Sequence, residues 1–253
     1  MAPDGHAGRV SALWRFPVKS MLGERLDAAD VTSGGVVGDR AYALVEGASD
    51  AVVSAKRVKE FPGLFACRAV FVEPPDAGGE TPPVLITLAD GSSVRSDAGD
   101  ADARLSRWFG REVRLEPAAP AEAFYDLSPM SVLTTSTLDE LKRLRPGSRF
   151  DERRFRMNVV VRTGGPGFVE NEWVGRTLEV GARVALHVDM PDPRCVMTTL
   201  AQEDLPRDPE ILRTLARHNR LAVAGEGRFP CCGVYATIGV PGTIGIGDRV
   251  LVL

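Results

Sequence analysis

The chain has 253 residues, 44% of them hydrophobic and 26% charged, with a formal net charge of -3. That balance gives no overall basic field, which excludes broad binding to nucleic acid or to an anionic membrane surface and leaves room only for a local anion site. The length suits one large domain or two smaller ones, either able to bury a substantial core. No run of about 18 apolar residues occurs, and the amino terminus lacks the apolar core of a signal peptide. The four cysteines, Cys67, Cys195, Cys231 and Cys232, show neither a CxxC pair nor a His/Cys cluster at zinc spacing. A cytoplasmic protein without a disulfide framework is expected.

Alternation puts Val10, Ala12, Trp14, Phe16 and Val18 on one face and Ser11, Arg15 and Lys19 on the other, which predicts a strand with one buried side. Glycine pairs at Gly34-Gly35 and Gly38-Asp39 mark turns before a second strand over Ala41–Glu46. Lys19, Ser20 and Arg40 then meet near strand ends as a candidate anion clamp, although each taken singly reads as a solvated surface residue. Short strands are expected at Phe65–Val72, Val84–Leu88 and Ser93–Ser96, and a helix over Asp97–Phe109 with Leu105, Trp108 and Phe109 on its buried face. Pro117–Ala123, rich in proline and alanine, is the candidate boundary, giving domains 1–120 and 121–253.

The second half opens on Phe124-Tyr125-Asp126-Leu127-Ser128-Pro129, an extended run Met130–Thr135, and a helix whose capping box is Ser136 with Asp139. Leu138, Leu141 and Leu144 form its apolar stripe, and Pro146-Gly147 stops it. The β-branched run Val159, Val160, Val161 predicts a strand over Arg153–Arg162. Strand period two puts Arg156 and Asn158 on one face and Met157 on the other. A guanidinium beside a carboxamide suits a ligand rich in donors and acceptors, and a strand-edge arginine with a turn-supporting asparagine is the competing reading. Val184, Leu186, Val188 and Met190 lead as a strand into Met190–Leu200, Asp208-Pro209-Glu210 starts a helix, and strands at Gly233–Val240, around Ile244 and at Val250–Leu253 close the chain. His6, His187 and His218 have no partner at an informative spacing and read as surface residues.

Met190–Leu200, Met-Pro-Asp-Pro-Arg-Cys-Val-Met-Thr-Thr-Leu, carries the thiol of interest. A free cysteine is most often a small buried hydrophobe. Here two prolines stiffen the approach, Arg194 favours a thiolate, and Val196–Leu200 resumes an apolar pattern, so Cys195 is expected where a loop re-enters a sheet. A thiolate there ligates a soft metal or carries a persulfide. Cys67 reads as core, and Cys231-Cys232 as two reduced cysteines in a loop. No Cys-His-Asn set assembles into a papain-like protease. The cluster Gly164-Gly165-Pro166-Gly167 lacks the lysine of a P-loop, and no GxGxxG opens a helix.

Taken together these residues resemble the MOSC proteins, named for the carboxy-terminal domain of molybdenum cofactor sulfurases, preceded by a MOSC amino-terminal β-barrel domain. The likeness runs over essentially the whole chain through Phe16-Pro17-Val18-Lys19-Ser20, Gly38-Asp39-Arg40, Asp126-Leu127-Ser128-Pro129, Arg154-Phe155-Arg156-Met157-Asn158, Pro193-Arg194-Cys195 with Thr198-Thr199, and Gly233-Val234-Tyr235 through Pro241-Gly242 to Gly247-Asp248. It is strongest toward two-domain bacterial members related to the mitochondrial amidoxime reducing component. The resemblance implies a mostly β fold with a few helices, an amino-terminal β-barrel-like domain packed on a carboxy-terminal MOSC β-barrel, and a molybdopterin-type molybdenum cofactor in the cleft between. It implies that Cys195 ligates molybdenum, that Lys19, Ser20 and Arg40 hold the cofactor's phosphate and pterin, and that Asp126, Ser128, Arg156, Asn158, Arg194 and Tyr235 line the same pocket. The implied activity is reduction of N-hydroxylated small molecules with electrons from a separate donor such as a ferredoxin or flavoprotein reductase, with no nucleic acid or membrane partner. The alternatives are a sulfur carrier holding a persulfide on Cys195, or a cofactor-handling protein without turnover; pyridoxal phosphate binding is a further family-level association. Met157 stands where relatives usually carry proline, and neither the ferredoxin domain of some bacterial relatives nor the membrane anchor of the mitochondrial ones is expected, so that electrons would come from a separate protein.

Overall fold

Runs of β-branched and aliphatic residues interrupted by glycine turns fold the first strand and the carboxy-terminal half of the chain into a ring of strands. The computed structural model describes residues 6–57, 59–119, 122–223, 225 and 227–253. Among them the ring is built from β1 (His6–Arg15), β2 (Met130–Thr134), β3 (Val159–Arg162), β4 (Thr177–Val180), β5 (Val184–Pro193), β6 (Gly227–Val240) and β7 (Arg249–Val252). Hydrogen bonding runs β2-β3-β1-β7-β4-β5-β6, and β6 pairs back onto β2, closing a seven-stranded barrel. β2 and β3 are parallel, and the other neighbours are antiparallel. Closure leaves these strands without an open edge.

The interior is aliphatic. Val132, Val161, Leu178, Val188, Val234 and Val250 belong to one buried cluster, and full burial of such side chains contributes about 1.5–3 kcal/mol each. The described helices are α1 (Ala101–Phe109), α2 (Thr135–Leu144) and α3 (Glu210–His218). Leu133 follows Val132 in β2, so strand period two turns it to the outer face. There it packs with Leu138 and Leu141 of α2, Ile211 and Leu215 of α3, and Phe155, Met157 and Cys232 in a second apolar cluster.

The described residues form two compact units, one within residues 6–14, 25–36 and 127–253, the other within residues 15–24 and 37–126. Residues 25–36 join the first because the strand Ala28–Thr32 pairs with Gly242–Gly245. The division expected at 120/121 falls on two residues outside the described set. In the second unit Tyr42–Glu46 pairs with Val113–Pro117, and Arg68–Phe71, Val84–Thr87 and Ser93–Arg95 form an antiparallel meander. Leu105 and Phe109 of α1 are buried, and Phe61 meets Phe109 edge to face at 6.1 Å. No helix among the described residues is long and apolar enough to cross a membrane.

Several local expectations are corrected. The register shifts between Val10 and Ala12 in β1, so the bulge resets the alternation, Leu13 enters the barrel core and Trp14 is left half-buried. The cap of α2 is Thr134, whose hydroxyl accepts from the Thr137 amide at 3.2 Å; Ser136 already lies inside the helix. β3 starts only at Val159, because Glu152–Arg154 form a 3-10 turn and Arg156 takes φ 56°. Cys231 and Cys232 lie in β6, fully buried, rather than in a loop.

One buried acid stands out in the barrel unit. Glu170 is inaccessible to solvent, and its Oε2 accepts from the Thr134 and Thr137 hydroxyls at 2.7 Å each. Burial pushes its pKa above the ordinary glutamate value, the two threonines opposing only in part. Between the ordinary and the raised value the folded chain holds a proton that the unfolded chain has released, so stability falls as pH rises through that window, by at most about 1.4 kcal/mol per pH unit. Glu170→Gln is expected to remove this slope. Denaturant melts from about pH 5 to about pH 8 check it, and equal slopes in the two proteins would show that Glu170 is already ionised in the fold.

Candidate functional site

Cys195 stands just past the end of β5, and the chain leaves the sheet there rather than re-entering it. Pro193 still pairs with Cys231 of β6, Cys195 remains extended at φ -118° and ψ -172°, and Val196–Thr199 then coil into a 3-10 turn instead of the expected extended run. The Thr198 amide and hydroxyl both donate to the Cys195 carbonyl, at 3.3 and 3.1 Å. Of the four cysteines Cys195 is the one that is not buried. Burial pushes Cys67 and Cys231 up to about 11 and Cys232 well above the ordinary thiol value, so those three are neutral near neutral pH.

Arg194 is fixed in place. One end of its guanidinium pairs with the buried carboxylate of Asp192, the other donates to the Phe155 carbonyl, and the Phe155 ring centroid lies 6.0 Å away. Its Nε is buried without a hydrogen-bond partner. Burial works against the charge, but Asp192 first, then Tyr235, Cys232 and Cys195, outweigh it and raise the arginine above its usual range. The result is a permanent cation within electrostatic reach of Cys195 and Tyr235.

Arg156, Met157 and Asn158 lie in an irregular turn, all buried, so the period-two argument that paired Arg156 with Asn158 does not hold. Met157 does face apolar packing. A Cβ on Gly233, which takes φ 78°, would sit 2.5 Å from the Met157 methyl and 2.6 Å from the Val132 carbonyl, so only glycine serves there. Asn158 Oδ1 accepts from the Ser131 amide at 3.2 Å and the Ser131 hydroxyl at 3.0 Å, and its amide nitrogen donates to the Trp14 carbonyl at 3.4 Å. Ser131 is the ladder partner of Tyr235, and the Ser128 hydroxyl donates to the Ala236 carbonyl at 2.8 Å. Ser128, Asn158 and Tyr235 are thus tied to the β2–β6 seam.

In the second unit Lys19 Nζ donates to the Phe124 carbonyl at 2.7 Å and to Asp126 at 2.5 Å. Burial lowers the Lys19 pKa, with Arg40 and Lys56 adding to the effect and Asp126 opposing it. Asp126 also meets Lys56 at 3.0 Å. Burial works against its charge, yet Lys19 and Lys56 prevail and hold it at about 2. Arg40 pairs with Asp39 and lies 5.0 Å from the Phe16 ring centroid. Ser20 is buried, with its hydroxyl accepting from the Ala55 amide at 3.2 Å. Lys19, Arg40 and Asp126 therefore do come together.

Ser20, Arg40 and Arg156 share a further property: all three adopt positive φ, at 64°, 52° and 56°, among six non-glycine residues that do so in the described chain. Such backbone is uncommon and stores strain that clusters at working sites. Two residues were missed from sequence. Lys56 had no spacing to connect it with residues far along the chain, whereas Asp192, two positions before Arg194, was visible as a charge pair inside the proline-bounded stretch. Among the described residues no group of three or more His, Cys, Asp or Glu is placed to hold a metal ion.

Removing the Asn158 side chain leaves two buried Ser131 donors unsatisfied. Asn158→Ala is expected to cost about 1–3 kcal/mol of stability in urea unfolding; an unchanged midpoint would show that the residue serves a ligand only.

Comparison with known proteins identifies the domains of this chain. The family model described as MOSC domain matches residues 120–251, and the one described as MOSC N-terminal beta barrel domain matches residues 7–108. The chain is 26% identical to mitochondrial amidoxime-reducing component 1 of Mus musculus, over 97% of this chain and 82% of that protein. It is 26% identical to mitochondrial amidoxime reducing component 2 of Bos taurus, over 96% and 82%. The crystal structure of the YUAD protein from Bacillus subtilis shares the fold at TM-score 0.51 and 14% identity, covering 97% of this chain and 95% of that one. The closed barrel carrying Cys195 and the unit carrying Lys19 and Arg40 are those of the MOSC family, to which this chain belongs, with a MOSC N-terminal beta barrel domain preceding the MOSC domain.

Proposed function

We propose that the protein is a molybdenum-cofactor-dependent reductase of N-hydroxylated compounds such as amidoximes and hydroxylamines, supplied with electrons by a separate redox protein. The observation that carries the reading is the setting of Cys195, the one cysteine left partly exposed, beside a buried arginine whose charge is fixed. Likeness over 97% of the chain to a protein named as an amidoxime-reducing component supports the substrate class.

The residues fit such a cofactor. Cys195 offers one soft sulfur, which suits a molybdenum whose other ligands come from a dithiolene. The orphaned Arg194 Nε is a donor in want of an acceptor, and Asn158 keeps one amide hydrogen for a ligand after its bond to Trp14. In this reading Arg156, Asn158 and Tyr235 hydrogen-bond the pterin, Ser128 supports them through the β2–β6 seam, and Arg194 balances negative charge of the bound group near the Cys195 sulfur. Lys19, Ser20 and Arg40 are assigned to an anion, the cofactor's phosphate, with Asp126 holding Lys19 in position. When bound, the cofactor would supply the two-electron redox chemistry needed for removal of the substrate's N-bound oxygen. The overall change is N–OH plus two electrons and two protons to N–H plus water. The chain's own side chains bind and orient; none is asked to act as a general acid or base.

Metal analysis of purified protein is the deciding test. Stoichiometric molybdenum that is lost in Cys195→Ser, together with benzamidoxime reduction by the loaded wild type and a soluble electron donor, is the expected result. A molybdenum-free protein that traps labelled persulfide at Cys195 would replace this reading by the sulfur-carrier one. A loaded protein inactive with every donor tried would leave cofactor handling.

A further inference from the structure

Arg154 is almost wholly buried, at 1% exposure, yet all four of its hydrogen-bond acceptors are backbone carbonyls. Its Nε donates to Arg149 at 2.9 Å, Nη1 to Thr198 and Leu200 at 3.4 and 3.3 Å, and Nη2 to Pro206 at 2.8 Å. Thr198 and Leu200 belong to the turn that begins at Cys195. On the other side of the thiol, the carbonyl of the next residue, Phe155, accepts from Arg194. The dipeptide Arg154-Phe155 therefore grips the Cys195 segment from both flanks, through a buried cation after the thiol and a carbonyl before it. Burying a guanidinium is costly unless its donors are satisfied, and an arginine spent on carbonyls from three separate stretches is more than the apolar packing of Phe150 and Phe155 requires.

We propose that Arg154 is a positioning residue that fixes the Cys195 loop and sets the presentation of its thiol. The inference rests on Cys195 being the working sulfur but not on which cofactor or group it carries. Lysine is no substitute, because a single ammonium cannot span carbonyls that a planar fork of N–H groups reaches in several directions.

Native-state hydrogen exchange on the unmodified chain tests the clamp without a variant. The amides of residues 196–202 and 150–156 are expected to open together, with one free energy and one denaturant dependence; two separate openings would overturn the proposal. Iodoacetamide alkylation at a fixed neutral pH tests the consequence, since the other three cysteines are buried. Arg154→Lys should alkylate Cys195 roughly tenfold faster than wild type, the loss of about one charge-assisted hydrogen bond, and Arg154→Met faster still, while β4 and β7 amides keep wild-type protection. Equal alkylation in wild type and Arg154→Lys would overturn it, as would a faster rate that appears only when β4 and β7 lose protection. If Arg154→Met does not fold, the lysine variant and the wild-type exchange pattern still decide. Neither measurement needs molybdenum, so failure here is distinct from failure of the reductase reading, which metal content decides.

Discussion

Closure of the barrel at the β2–β6 seam is the constraint on which the rest of the carboxy-terminal unit depends. Met130, Ser131 and Val132 pair with Ala236, Tyr235 and Val234, and that register places Val132 and Val234 in the core while Ser131 meets Asn158. Ser128 fastens to the Ala236 carbonyl. Gly233 lets the Met157 methyl and the Val132 carbonyl approach where no side chain would fit. A register slip by one residue would reverse the faces of both strands and scatter these contacts. Among the proposed site residues of this unit, Ser128, Asn158 and Tyr235 thus owe their setting to the way the ring closes.

Charge is handled differently in each place where it is buried. Arg194 has a carboxylate partner in Asp192, and loss of one member of such a pair costs about 3–5 kcal/mol because the other is left uncompensated. Arg154 is held by carbonyl dipoles, and Glu170 by two threonine hydroxyls that soften but do not cancel its desolvation. Three separate devices keep polar groups beside an apolar cluster, and two of them, Arg194 and Arg154, bear on the few residues around Cys195. The other unit gathers Lys19, Arg40 and Lys56 about Asp39 and Asp126, inside a chain of net charge -3. Overall charge therefore said little about where an anion would bind.

Much of this was legible in the linear sequence. Aliphatic alternation marked β5 and β7, the valine run marked β3, and the proline-bounded Arg194-Cys195 stretch singled out the thiol, because periodicity and turn chemistry are local properties. What failed did so for tertiary reasons. A bulge in β1 reset an alternation that looked regular, and the positive φ of Arg156 ended an apparent strand before it began. Cys231 and Cys232 looked like loop residues until β5 paired across to them.

By itself the sequence determined the β character of the chain, its family and the identity of the candidate thiol, since these rest on residue type and order. Only the tertiary structure decided that Cys195 stays partly exposed while its three fellows are buried, that Asn158 is committed largely to Ser131, and that Arg154 grips the loop beyond the thiol. Those outcomes depend on groups brought together from distant parts of the chain by barrel closure, and no local pattern encodes which carbonyl a buried guanidinium will find.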